Sequence, residues 1–375
     1  MKTYAFLAGM LPVLFLLSCS KSSVEPADES ENPIAADYSV LLQNASLLTQ
    51  SFINYSSEGL KINDGESNFP NFSVPKVSYR SGSKLSLYHK KGDCLGEILI
   101  YDFEDKSKIE LNVFNDLNPC NLTITAVAHT NTQVFLSYVI ESEGKKRKYF
   151  IRTIELESEN KDFVDLEILK KPIELVPTNN RLFILTFDED ITDQNGIGVI
   201  DLATGMLIYE MNLGFDAGKI FENPNGNLII SYPELHSTLN TTSLEVMYTQ
   251  YGPGTEPNFI DTESLSFDLE GKMYYQMKTE EGVTQTIPAV YDFESNTGVL
   301  YYFENFLTDT QLTVEFSVAA ATAIQYDAKS DLILIGYKKS GTQNKGGIMR
   351  ITPSPDLTFV DNIDLDGIPY AIYIE

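Results

Sequence analysis

Along this 375-residue chain the apolar positions fall into short runs of β-branched and aromatic residues, separated by polar clusters rich in turn formers. Such runs predict strands, and no helical stretches intervene. One set begins at Leu85 (LSLY), Val134 (VFLSY), Leu182 (LFIL), Leu228 (LIISY), Met273 (MYYQM) and Leu332 (LILI), at steps of 49, 48, 46, 45 and 59 residues. A second set, beginning at Ile98, Phe150, Gly198, Glu245, Ala289 and Gly347, follows 13 to 17 residues behind the first. Several runs are apolar at consecutive positions, which a strand tolerates only when neighbours cover both of its faces. Sheets stacked face to face around an axis supply that cover and close without long free edges. The pattern therefore predicts an all-β chain folded as a β-propeller. A two-layer sandwich gives no reason for so regular a spacing.

The blade count follows from arithmetic. Residues 38–375 span 338 positions, room for about seven units of about 48, yet only six double runs are visible. Seven blades require 370–374 to form an inner strand whose unit is completed by strands between Tyr38 and Ile62, so that the two ends of the chain zip the ring shut. Six blades with an irregular N-terminal segment is the alternative.

The clearest unit runs from Gly196 to Gly214 and contains Asp201-Leu-Ala-Thr-Gly205 between two β-rich runs. That turn fits a hairpin in which a type I turn is followed by Gly in the left-handed region. The segment resembles the YVTN or YncE-like propeller repeats, and 292–298, with Ser-Asn-Thr-Gly, is a looser copy. The resemblance covers one unit well and the others in spacing, and it implies fold rather than activity. Kelch, WD and quinoprotein blades and the sialidase Asp-box depend on Trp, which this chain lacks.

Residues 1–18 combine Lys2, an apolar run from Tyr4 to Leu17, and Ser18 before Cys19, the layout of an export signal too short to span a bilayer. Leu16-Leu17-Ser18-Cys19 resembles the lipobox of bacterial lipoprotein precursors. The resemblance implies a lipid anchor on Cys19, with Ser20 in the next position favouring the outer membrane, on either of its sides. Residues 19–37, rich in Ser, Glu, Asp, Pro and Asn, are expected to be a flexible acidic tether, leaving 38–375 as the propeller.

With 53 acidic against 27 basic side chains, the formal charge of −26 argues against nucleic acid or an anionic lipid surface as partner. The membrane is therefore reached through the N-terminal lipid only. Three His and three Cys leave little material for metal clusters, and neither metal nor cofactor is expected. His89, His129 and His236 fall in three different units, without ligand spacing, and read as hydrogen-bonded or surface side chains. Cys94 and Cys120 would share one rim of a propeller, and in an oxidising envelope they form a candidate disulfide, with two free thiols as the alternative. The loop 188–196, with Asp188, Glu189, Asp190 and Asp193, lacks the register of a calcium loop. So does 362–367, whose Ile363 and Leu365 alternate as in an outer strand. Lys145-Lys146-Arg147-Lys148 reads as a charge-balanced hairpin among Glu141, Glu143, Glu155 and Glu157. The insert 251–257 is expected to replace an outer strand. No catalytic residue emerges, because no nucleophile elbow, phosphate loop or dinucleotide fingerprint occurs. The expectation is a non-catalytic envelope module that binds a protein, peptide or glycan. A lactonase, lyase or hydrolase with its site in the central channel is the alternative.

Overall fold

The computed structural model describes residues 36–375 apart from 93, 142–145, 159–160, 281 and 342–343. The export signal, Cys19 and nearly all of the tether lie outside the described residues. From Tyr38 onward the chain forms seven sheets arranged in a ring, each with four main antiparallel strands. Strands β1 (Tyr38–Asn44), β2 (Leu47–Ser56) and β3 (Gly59–Asn63) share a sheet with the last strand, β29 (Ile368–Ile374), in the order β29-β1-β2-β3, and the two-residue β4 (Phe72–Ser73) adds beside β2. The other six sheets take consecutive strands, innermost first. Blade 1 runs from β5 (Val77–Ser81) to β8 (Lys108–Asn112), blade 2 from β9 (Leu122–His129) to β12 (Phe163–Ile168) and blade 3 from β13 (Lys171–Thr178) to β16 (Met206–Gly214). Blade 4 runs from β17 (Lys219–Glu222) to β20 (Val246–Gln250), blade 5 from β21 (Leu265–Phe267) to β24 (Thr297–Leu300) and blade 6 from β25 (Val318–Asp327) to β28 (Phe359–Leu365). The blades number seven, and the seventh is the sheet completed by both ends of the chain.

The seam at blade 7 is closed on both sides. β1 pairs with β29 from Tyr38↔Ile374 to Gln43↔Ile368. Toward blade 6, Tyr38, Val40 and Ile372 pack with Ala323, Leu334 and Ile348, and the Tyr38 hydroxyl donates to Asp327 at 2.8 Å. Toward blade 1, Tyr373 stacks on Phe103 with ring centroids 3.6 Å apart. On the blade 6 side Gly336 permits the close approach of β29: a Cβ there would stand 2.6 Å from Cβ of Pro369. Buried Tyr and Phe side chains fill the widening gaps between radial sheets, the work that Trp performs in other propellers.

The six first-set runs are the second strands of blades 1 to 6. The second-set runs are third strands in every blade but one. In blade 4, β18 (Leu228–Ser231) turns back at once, Tyr232 N–H donating to Leu235 C=O, so the third strand is β19 (Leu235–Leu239). The run at Glu245 is that blade's outer strand, β20. Its sequence LHSTL hid β19, because a strand with buried His and Ser does not read as apolar. The insert 251–257 consequently follows an outer strand rather than replacing one. At Asp201 to Gly205 the turn has the expected form, with Gly205 at φ 66° and Thr204 N–H donating to the Asp201 carboxylate at 2.9 Å. The acidic segment 362–364 lies in outer strand β28, with Asp364 exposed and Leu365 buried.

Because strand direction alternates, hairpins between second and third strands and links between blades share one rim, here the upper. Turns from first to second and from third to fourth strands form the lower rim. One ion cluster fixes the link from blade 1 to blade 2. Arg152, in β11 (Lys148–Glu155), is 0 % exposed, and all five of its N–H groups are used. It forks onto Asp165 at 2.8 and 2.7 Å, onto Asp116 at 2.7 and 2.8 Å, and donates to the Val113 carbonyl at 2.7 Å. Phe163 covers the guanidinium at 4.0 Å. The fork also holds the Asp116 carboxyl below its usual range. Removing the guanidinium leaves the Val113 carbonyl and two carboxylates, 36 % and 24 % exposed, without their shared cation. Because solvent reaches both carboxylates, Arg152→Met is expected to cost about 2–3 kcal/mol in urea unfolding, whereas a cost under about 1 kcal/mol would show that the clamp contributes little.

Candidate functional site

The first strands of six blades enclose a cavity of 660 Å³ along the ring axis. Alternation along these strands sends some side chains between blades and leaves others at the wall. On β5, Tyr79 leans edge-on against His129 of blade 2, with ring centroids 5.4 Å apart. Its neighbour Arg80 turns the other way, lies 4.2 Å over the Tyr373 ring, and donates to Gln325 Oε1 at 3.1 Å and to the Ile372 carbonyl at 3.0 Å. Three carboxyl groups join them. Glu174 of β13 accepts from the Ile220 N–H at 2.7 Å and has Lys219 Nζ at 3.5 Å. Glu222, at the lower end of β17, accepts from the Thr178 hydroxyl at 2.5 Å. Glu263, ahead of β21, is exposed in the wall. Ser78 and Tyr370 share a hydroxyl to hydroxyl bond of 2.8 Å.

Electrostatics separate the carboxyl groups. Burial raises Glu222 above the usual carboxylate range, only partly opposed by the Thr178 hydrogen bond. Burial also raises the Tyr79 hydroxyl, and the nearby Glu222 and Glu174 charges push it further. The wall therefore offers hydroxyl groups (Tyr79, Tyr370, Ser78), the Arg80 guanidinium held by neutral acceptors, the Lys219–Glu174 ion pair and Glu222, whose carboxyl burial biases toward the neutral form. Such a surface suits a small ligand rich in hydroxyl groups. Among the described residues, no group of three or more His, Cys, Asp or Glu side chains is placed to hold a metal.

Cys94 and Cys120 lie on the upper rim as a pair, with Cα atoms 5.2 Å apart. They bring the hairpin after β6 (Lys84–Lys91) beside the segment preceding β9, away from the channel wall. The acidic loop and the basic run, read separately in the sequence, meet each other: Arg147 reaches Glu189 at 2.8 Å and Glu141 at 3.1 Å, and Lys146 reaches Asp190 at 3.0 Å. Tyr149, then Arg147 and Lys171, hold Glu189 down to about 2 against its partial burial. His129 and His236 are buried, which lowers both to about 4, and His236 Nδ1 stands 2.9 Å from the hydroxyl of Tyr251 in the insert. His89 lies between Ser73 and Glu97.

Tyr370 was placed on an inner strand in the sequence, but no channel residue was assigned a functional role there. Two of the inner strands are short, four residues in β17 and three in β21, and Lys219, Glu222 and Ser266 interrupt their apolar positions, so they do not read as β-rich. The usable signal was the charged residue inside each brief run that follows an inter-blade link, such as Arg80, Glu174 and Glu222.

No family model and no curated protein matches the chain. Solved structures do. The periplasmic gluconolactonase PpgL of Pseudomonas aeruginosa is similar at 9% identity and TM-score 0.53, over 90% of this chain and 98% of that one. The dihydro-heme d1 dehydrogenase NirN, in complex with DHE, is similar at 10% identity and TM-score 0.50, over 92% and 77%. AztD from Citrobacter koseri is similar at 12% identity and TM-score 0.45, over 89% and 88%. At these identities the likeness is one of fold.

Because Glu222 holds its proton more tightly folded than unfolded, its ionisation costs stability as pH rises from the ordinary glutamate range through its folded value. Glu222→Gln is thus expected to raise the melting temperature at pH 8 relative to the parent. The gain should vanish near pH 3, where both states keep the proton; a gain equal at both pH values would contradict the assignment.

Proposed function

We propose that this protein is an outer-membrane lipoprotein, anchored through Cys19, whose propeller binds a glycan fragment in its channel and does not transform it. The single observation behind the binding assignment is the commitment of the channel's polar groups. Glu174 is held by Lys219 and a backbone amide, and Arg80 by Gln325 and a carbonyl. Groups fixed in this way present a rigid polar wall that orients hydroxyls, and rigidity lowers the ordering cost of binding. The anchor rests on the lipobox resemblance. It fits the chain path, because β1 starts at the lower rim and Glu375 N–H bonds the Asp37 carbonyl there at 3.0 Å.

A hydrolase reading is favoured by one feature, the protonated tendency of Glu222 in the same cavity as Glu174, since acid and base roles need carboxyl groups set apart by environment. Isothermal titration of the exported domain with a panel of soluble oligosaccharides distinguishes the two. Binding weakened at least tenfold by Glu174→Ala, with the sugar recovered unchanged after overnight incubation, is the expected result. Sugar cleavage abolished by Glu222→Gln would establish the hydrolase, and binding indifferent to both substitutions would remove the channel as the site.

A further inference from the structure

Away from the channel, where blades 7 and 1 meet near the upper rim, three side chains form a hydrogen-bonded relay. Ser73 Oγ lies 2.6 Å from Nδ1 of His89, and His89 Nε2 lies 2.8 Å from Oε2 of Glu97. His89, near the end of β6, stands directly opposite Glu97 in β7 (Leu95–Asp102). Ser73 arrives from the neighbouring blade, because β4 pairs with β2 at Leu47↔Ser73. The ring is fixed between these partners: Phe72 stacks on it with centroids 3.8 Å apart and planes 15° from parallel. Lys91 stands 3.4 Å from the same Glu97 oxygen.

The proton positions follow from the donor inventory. Burial works against ionisation of Glu97, but its bonds to His89 and Lys91 outweigh that and hold the carboxyl below its usual range. An ionised carboxylate can only accept, so Nε2 carries the hydrogen. In the neutral ring the lone pair is then on Nδ1, facing Ser73, whose hydroxyl must donate to it. Nucleophile, base and orienting acid are thus in sequence, with the imidazole presented by its opposite nitrogen from the familiar serine-hydrolase arrangement. The other Ser-His pair among the described residues lacks this logic. Ser86 and His129 are both enclosed, and His129 Nε2 has no partner to set the tautomer. Ser73 is partly exposed, as are the His89 and Glu97 side chains at 13 % each.

We propose that Ser73 is the nucleophile of an acyl-ester hydrolysis site on the upper rim, with His89 as its base and Glu97 as a positioning residue. The Ser73 Oγ–H proton passes to His89 Nδ1 as the Oγ–C bond forms. The ester C–O bond then breaks, and the alcohol leaves with that proton. Water repeats the cycle, giving its proton to Nδ1 and its oxygen to the acyl carbon, so that the acid is released and the serine hydroxyl restored. Ester plus water yields acid plus alcohol, with no other reactant.

The test is labelling of the exported domain with a fluorophosphonate probe, site mapping by mass spectrometry, and p-nitrophenyl acetate hydrolysis measured in parallel. The expected result is a label on Ser73 that is absent in Ser73→Ala. Labelling should be at least tenfold slower in His89→Phe, which keeps the stack on Phe72, and Glu97→Gln should shift the pH dependence of labelling. Ester turnover should fall in step. A parent protein unlabelled at Ser73, or a His89→Phe variant with native circular dichroism and an unchanged labelling rate, would overturn the proposal. Neither outcome bears on the channel, since no member of the relay lines it.

Discussion

Everything in this molecule depends on one antiparallel pairing, that of β29 with β1. Six blades are each built from consecutive strands and need only local turns. The seventh joins residues more than 300 positions apart, and until it forms, blades 1 and 6 each present an uncovered apolar face. The entropic cost of such a join grows slowly with loop length, whereas the area covered on both sides is large. The Tyr38 to Asp327 hydrogen bond and the Phe103 to Tyr373 stack place this seam in contact with both neighbouring blades.

The channel is a consequence of that closure. Arg80 is held by Gln325 of blade 6 and by the Ile372 carbonyl of blade 7, so its position exists only in a closed ring. The same holds for Tyr370 with Ser78, a bond between the last strand and the first blade. Polar side chains at the axis are costly unless partnered. Their pairing across blades explains how a chain with so many acidic residues carries Glu174 and Glu222 in one cavity, while Glu263 stays exposed. The same logic governs the upper rim, where the Ser73, His89 and Glu97 relay again joins two blades across the seam.

How far this was legible depends on what each strand must bury. Second and third strands are covered on both faces, so their apolar runs announced the fold, the period and, by division of the length, the seventh blade. Tyr370 to Ile374 was recognisable as the inner closing strand for the same reason. Inner strands such as β17 and β21 carry the channel's polar groups on three or four residues, and a strand that short with one wet side leaves no periodicity. The blade 4 error arose from buried polar groups at His236 and Ser237, which a hydrophobic count cannot distinguish from a loop. Cross-blade partners were wholly illegible: the basic run was read as balancing itself with near neighbours, and Glu189 and Asp190 of the next blade supply much of its charge.

Hydrogen exchange measured on the intact domain tests the closing pair most directly. If the ring is held as described, amides of β1 and β29 exchange only with global unfolding, as slowly as those of β14 (Arg181–Phe187) in the middle of blade 3. Exchange at the seam many times faster than in β14, while blade 3 stays protected, would contradict it and leave the channel without a wall.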